Sequence, residues 1–381
     1  MSRRDALAIA GGFVALACAV LVALSLSWTR VVVGPSSFGL DLNAYEAAAD
    51  RLVETGSPYS AELVAGPIAN EAENVGIGYF YPPPLAQAFT LVRGVDHYLL
   101  AAIWTILQAL MAFLVLPLIW RRAGGRPGFA PCLWVTAVGI ASHPFQTALV
   151  IGNVSGWSAF LVGVLLVSNP PVQGALAGGL SLLKTTNAAT FLVSLVERRS
   201  RLPATGLVLG LGTLSFVISP AAWWAWLEVL PNILRLPPGG SPASVSLTSM
   251  VRDTSVAGTA ALVSAAGGAI ILILALLLAR REGLSRRVIA AAVASGLLLN
   301  STLWDHYLAV MIPILIATWP NVSGRWRALL VVGGLTHLVG WFGLLGVQTA
   351  VIMFGGFVAI TLSSLFGDVP GERSVQDSSP A

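Results

Sequence analysis

The run ALAIAGGFVALACAVLVALSLSWT, residues 6–29, contains no charged side chain and no alternation of apolar with polar positions. A helix needs about 20 apolar residues to cross the hydrocarbon core of a bilayer. Tyr98–Trp120, Val256–Ala279 and Ala328–Val347 meet the same requirement. Each of these runs must be helical, because lipid offers no partner for an unpaired backbone group. Closed barrels are excluded by the lack of a two-residue period. The whole chain agrees with its first run: 56% of residues are hydrophobic and 10% charged, with a mean hydropathy of +0.81. Soluble domains carry about 25% charged residues to keep their surfaces wet. The sequence predicts an all-α polytopic membrane protein.

The run begins five residues from the N-terminus, as a signal peptide would, but it is long for one and Ala23-Leu24-Ser25 is a weak cleavage site. A retained first span is the better reading. Cys18 and Cys132 lie inside apolar segments without metal-ligand spacing, and read as small core residues. The net charge of +4 does not point to nucleic acid, because the arginines sit in short clusters between apolar runs, where topology explains them.

Those clusters are Arg3/Arg4, Arg121/Arg122/Arg126, Arg198/Arg199/Arg201, Arg280/Arg281/Arg286/Arg287 and Arg325/Arg327. Basic clusters mark the cytoplasmic side, so an even number of crossings should separate neighbours. Residues 34–96 then form a large first outer loop, and 220–255 a second. Between Arg126 and Arg198 the apolar stretches are Gly128–Ile151, Val154–Val167 and Val172–Val196, an odd count. The last is interrupted by Lys184-Thr185-Thr186-Asn187. A lysine at mid-membrane costs about 3 kcal/mol and belongs at a cavity or a bend. Reading Val172–Leu183 and Ala188–Val196 as two half-helices restores the parity. Pro203–Ser219, Val288–Leu299, Tyr307–Thr318 and two final spans bring the total to about twelve membrane segments. Residues 1–367 read as a single transmembrane domain, and 368–381 as a disordered cytoplasmic tail. No internal repeat is evident.

Polar residues beyond the needs of topology gather on the predicted outer side. In the first loop Leu42, Tyr45, Ala49 and Leu52 share one face of an amphipathic helix over Asp41–Glu54. The plain reading of Asp41 is a helix N-cap. Gly56-Ser57-Pro58-Tyr59 follows, and Tyr81-Pro82-Pro83-Pro84 is a rigid entry into another helix. Near the other end, Trp304-Asp305-His306-Tyr307 interrupts two apolar segments. An interfacial turn anchored by Trp and Tyr is its plain reading, but an Asp-His pair at a membrane boundary is costly unless hydrated or functional. Arg235 and Arg252 stand on the outer side against the positive-inside trend. A solvated loop arginine is the plain reading; a guanidinium that grips a phosphate is the functional one.

In this order the residues resemble glycosyltransferase family 87, polyprenol-phosphate-mannose-dependent mannosyltransferases with the GT-C membrane fold. The resemblance runs through Asp41 and Tyr45, Gly56-x-Pro58-Tyr59, Tyr81-Pro82-Pro83, Lys184 at a helix break, Ser219-Pro220 with Trp223, and Trp304–Tyr307. The chain departs from the family pattern at Gly152-Asn153-Val154-Ser155, after Lys184, and at Asn300-Ser301-Thr302-Leu303. The resemblance implies a polyprenyl-phosphate sugar donor, a lipid or glycan acceptor entering from the outer face, and inverting displacement with Asp41 as general base. It also implies a catalytic part for His306. Tyr45, Tyr59, Tyr81, Lys184, Asn187, Arg252, Trp304, Asp305 and Tyr307 are candidates for substrate binding. Lys184, Arg252 and His306 are candidates to neutralise the departing phosphate. No Asp-x-Asp carboxylate cluster stands in these segments, so neither metal nor other cofactor is expected. The expected location is the plasma membrane, with both termini cytoplasmic and the active site facing outward. A transporter or lipid flippase would also use broken helices, but the lack of a repeat and the one-sided polar loops speak against it. A structural scaffold leaves Asp41 and Asp305-His306 unexplained.

Overall fold

The computed structural model describes residues 2–33, 38–66, 78–234, 244–251, 254–300, 303–338 and 347–367. Helix α1 (Arg3–Val33) leads to the first loop, which carries α2 (Leu40–Thr55), α3 (Ala61–Ala65) and α4 (Pro83–Phe89). Next come α5 (His97–Arg122), the pair α6 (Phe129–Ala141) and α7 (His143–Ile151), and α8 (Ser155–Val167). Helices α9 (Pro170–Leu183) and α10 (Ala188–Ser194) flank a 3-10 turn, Thr185–Asn187. They are followed by α11 (Arg198–Ile218), α12 (Pro220–Leu234) and α13 (Leu247–Met250). The final part holds α14 (Ala257–Glu282), α15 (Arg286–Leu298), a 3-10 stretch (Asp305–Val310), α16 (Met311–Thr318), α17 (Gly324–Thr336) and α18 (Val347–Phe366). Among the described residues the extended pairing is an isolated bridge, Ser244 with Trp304.

Five helices, α1, α5, α11, α14 and α18, are long and apolar enough to cross a membrane, and a sixth span results if α6 and α7 count as one. The protein is a multi-pass, all-α membrane protein. The outermost helices keep their large apolar side chains exposed: Leu7, Phe13 and Leu24 on α1, Leu209 and Val217 on α11, Leu262 and Ile270 on α14. In water such surfaces would aggregate, whereas lipid solvates them. The centre is filled instead by α8, α15 and α16, with every residue from Val288 to Leu297 of α15 buried.

Close helix contacts use small residues, as expected where packing rather than hydrophobicity drives association. Gly174 and Gly178, four apart on α9, face backbone carbonyls of α11; a Cβ at Gly178 would lie 2.7 Å from Ala204 O, and one at Gly174 would meet Ser200 O. Gly174→Val is therefore expected to destabilise the protein by about 1–3 kcal/mol, read as a lower Tm in detergent. An unchanged Tm would contradict this contact.

Three departures from the sequence expectations have local causes. The stretch Gly128–Ile151 is bent by 63° between α6 and α7. There Ser142 directs both its backbone N–H and its hydroxyl to Gly139 O, and Pro144, at the start of α7, has no N–H to donate. Ala328–Val347 is not one helix: α17 stops at Thr336. Thr336 Oγ1 and His337 Nδ1 both turn back to Gly333 O, at 2.8 and 2.7 Å. The second outer loop also contains a full helix, α12, whose Trp226 stacks on Tyr59 with ring centroids 5.7 Å apart. By contrast, the chain does break at Lys184, whose backbone is extended (φ −156°, ψ 130°) between α9 and the 3-10 turn. Gly296 on α15 admits that turn, since any Cβ there would collide with Thr186 O.

Candidate active site

The first loop packs as a small aromatic core. Leu42, Tyr45, Ala48, Ala49 and Leu52 of α2 are buried with Tyr59, Tyr79, Tyr81 and Phe89. This is the face the amphipathic pattern predicts, joined by Ala44 and Ala48. The Tyr45 ring meets Tyr81 and Phe89 edge-on, each at 5.2 Å. The Tyr59 hydroxyl donates to Tyr81 O at 2.9 Å, and that of Tyr79 to Pro82 O at 2.7 Å. Burial is the largest cause holding the hydroxyls of Tyr45, Tyr59, Tyr79 and Tyr81 above the ordinary phenol range, so they act as neutral hydrogen-bonding groups.

Two left-handed glycines clasp this core to the end of α7. Gly39 (φ 68°) caps α2 and donates its N–H to Val150 O at 2.9 Å. Gly152 (φ 73°) ends α7 beside Leu42, which a Cβ would approach to 2.5 Å. The next residue, Asn153, is fully buried. Its Nδ2 donates to the Asp41 carboxylate and to the Tyr81 hydroxyl, the latter at 2.9 Å. Its Oδ1 accepts the Ser155 N–H at 2.7 Å, which fixes the amide's orientation. Asp41 is thus not the N-cap of α2, a place held by Gly39. Its half-buried carboxylate is turned inward onto Asn153.

Lys184 enters from the helix break. It is 5% exposed, donates from Nζ to Ser155 Oγ at 2.8 Å, and lies 3.1 Å from the ring centroid of Tyr307 and 5.8 Å from that of Tyr81. Aromatic faces hold a cation without neutralising it. Asn153 joins Asp41 to the Tyr81 hydroxyl, Tyr45 packs on Tyr81, and Lys184 lies over the rings of Tyr81 and Tyr307, so these groups share one polar centre. Asn187 is committed elsewhere, to Ser158 Oγ and Leu180 O, both at 3.3 Å. It lines, with Lys184, Ser155 and Tyr307, a cavity of about 10 Å³, room for one water.

The third part is Trp304–Tyr307. The bridge to Ser244, with Val245 N–H donating to Leu303 O at 2.6 Å, pins it beside α13. The Asp305 carboxylate is shared among His143 Nε2 at 3.0 Å, Thr147 Oγ1 at 3.3 Å, and the backbone N–H of His306 at 2.6 Å. The His306 ring stacks on Trp304 at 5.8 Å and meets Tyr307 edge-on at 4.9 Å. Its Nε2 is buried without a hydrogen-bond partner among the described residues.

The structure therefore brings together Asp41, Tyr45, Tyr81, Lys184 and Tyr307, with His306 and Asp305 adjoining through Tyr307. Tyr59 supports Tyr81 from behind, Trp304 supports His306, and Arg252 lies outside the described residues. Asn153, Ser155, His143 and Thr147 were not among the expected site residues. Asn153 and Ser155 belong to the polar tetrad Gly152-Asn153-Val154-Ser155, a visible interruption between apolar runs. His143 and Thr147 stand in Ser142-His143-Pro144-Phe145-Gln146-Thr147, a polar stretch inside what was read as one apolar run.

A polar centre with a carboxylate, Asp41, and a buried lysine, Lys184, thus lies among the apolar helices of a membrane protein. The family model for glycosyltransferase family 87 matches residues 79–304, more than half of the chain. The chain belongs to glycosyltransferase family 87, and is a multi-pass membrane glycosyltransferase with a sugar donor and an acceptor as its substrates. Among curated proteins and solved structures, none matches it. The matched span starts at Tyr79 and ends at Trp304. Asp41, Tyr45, Tyr59 and Asp305–Tyr307 lie outside it.

Proposed function

We propose that this enzyme transfers a hexosyl group, mannosyl by resemblance, from a polyprenyl-phosphate donor to a lipid or glycan acceptor at the outer face of the plasma membrane. The observation that supports it most directly is the Asp41 carboxylate held by Asn153 opposite the buried Lys184. In this reading the acceptor hydroxyl oxygen attacks the anomeric carbon and its proton passes to Asp41. The bond from that carbon to the phosphate oxygen breaks, and its electron pair leaves with the polyprenyl phosphate. Lys184, His306 and Arg252 stabilise the charge that develops there. Displacement in one step inverts the anomeric centre, with no covalent enzyme intermediate. Tyr45, Tyr81 and Tyr307 shape the sugar site; Trp304 and Asp305 orient His306. Both termini are cytoplasmic, and about twelve membrane segments, counting half-helices, surround an outward-facing site.

The reading predicts a lipid-linked donor and nothing else in its place. With purified protein, labelled polyprenyl-phosphate mannose should support transfer to an alkyl mannoside. A nucleotide-linked mannose used equally well would overturn the donor assignment. It also predicts metal independence, since side-chain cations would supply the positive charge. Transfer should persist in excess chelator. Loss of activity that magnesium or manganese restores would contradict this.

A further inference from the structure

His143 opens α7 directly after the bend, and its backbone N–H is tied to His337 O at 2.8 Å. From there its ring reaches across to the opposite part of the site, with Nε2 3.0 Å from Asp305 Oδ2. Thr147, one turn further along α7, reaches the same oxygen at 3.3 Å. The other oxygen, Oδ1, accepts the His306 N–H at 2.6 Å and lies 3.3 Å from His306 Nδ1. An ionised carboxylate has only acceptor positions, so the ring nitrogens that face it, His143 Nε2 and His306 Nδ1, both carry protons. The nitrogen of His306 left to meet a substrate is then Nε2, the atom buried without a partner among the described residues.

We propose that His143 is a positioning residue for sugar transfer: it fixes the Asp305 carboxylate on His306 Nδ1–H, which supports the protonated imidazole whose Nε2–H is presented to the donor phosphate. The inference rests on the function proposed above, in which His306 meets the departing phosphate. A carboxylate in this place fixes an imidazole's tautomer and supports its protonated form. It does so only if its own orientation is fixed, and His143 makes the shorter of the two side-chain bonds to Oδ2. Without it, Asp305 keeps the longer bond from Thr147 and can rotate away from His306 Nδ1. The His306 ring would stay in place, because Trp304 and Tyr307 pack on it. The loss therefore falls on charge stabilisation during transfer rather than on donor binding.

The test compares purified full-length His143→Leu, His143→Gln and His306→Ala, using labelled polyprenyl-phosphate mannose and an alkyl mannoside. Leucine removes the donor; the glutamine amide can place an N–H near the position of Nε2. His143→Leu should lower kcat by about 10–100-fold, the range seen when an outer partner of a metal-site histidine is removed. The KM for donor should stay within about twofold, the pattern of an interaction made in the transition state. His143→Gln should recover most of the rate. Unchanged kcat in His143→Leu beside an inactive His306→Ala overturns the role of His143 alone, as does an equal loss in the leucine and glutamine variants. If His306→Ala transfers at the wild-type rate, or the wild type transfers nothing, the underlying reading of the site falls instead.

Discussion

Asp41→Asn is expected to lower sugar transfer by about 10²–10⁴-fold, the contribution of a positioned general base. Asparagine matches aspartate in size and can still bond to Asn153 if one of the two amides turns. The packing of α2 rests on Leu42, Tyr45, Ala49 and Leu52, which the change does not touch. The variant should therefore insert and fold as the wild type does, with the same Tm. What it lacks is a group able to take the proton of the acceptor hydroxyl. Undiminished transfer by a folded Asp41→Asn protein would remove the base assignment.

The second large effect belongs to Lys184, and here activity and stability should move in opposite directions. Its ammonium is nearly excluded from solvent and is held by one hydroxyl and two aromatic faces. A buried charge without a close counter-ion is costly, and an apolar residue of similar volume is often neutral or stabilising. Lys184→Met should thus keep or raise the Tm while lowering kcat by about 10²–10³-fold, the loss typical when one stabiliser of transition-state charge is removed. Residues kept at some cost to stability are a mark of functional sites. A Tm that falls sharply with activity would mean that Lys184 serves the fold; full activity would exclude it from charge stabilisation.

Much of this architecture was legible in the sequence because bilayer thickness imposes one length scale. Residues 6–29 and 98–120 each lie within a single long helix, and 257–279 of the third run do so, with Val256 as N-cap. The break at Lys184 was legible for an electrostatic reason, since four polar residues cannot sit within a lipid-facing helix. The amphipathic face of α2 followed from the helical period. The bend at Ser142 was passed over: residues 128–151 read as one apolar run, although Ser142-His143-Pro144 interrupts it, and the bend is made by local bonds to Gly139 O and by a contact with His337. The end of α17 was hidden likewise, because Thr336 and His337 look unremarkable inside an apolar stretch until both bond to Gly333 O. Asp41 was visible as a site residue, but its partner was not, since Asn153 is remote in sequence and stood out as an interruption between apolar runs and a departure from the family pattern, with nothing to join it to Asp41. His143 and Thr147 belong to a polar stretch, Ser142 to Thr147, whose role was not legible because it depends on Asp305 lying opposite them in the fold.

The measurement that tests the central claim most directly follows a labelled sugar. Purified wild-type protein is incubated with polyprenyl-phosphate mannose, labelled in the sugar, and an alkyl mannoside, and the product's anomeric configuration is determined. The account predicts a new glycoside whose configuration is inverted relative to the donor, formed by the wild type and not by Asp41→Asn. A product with retained configuration, or no sugar transfer while the intact lipid donor crosses the bilayer of reconstituted vesicles, would contradict it.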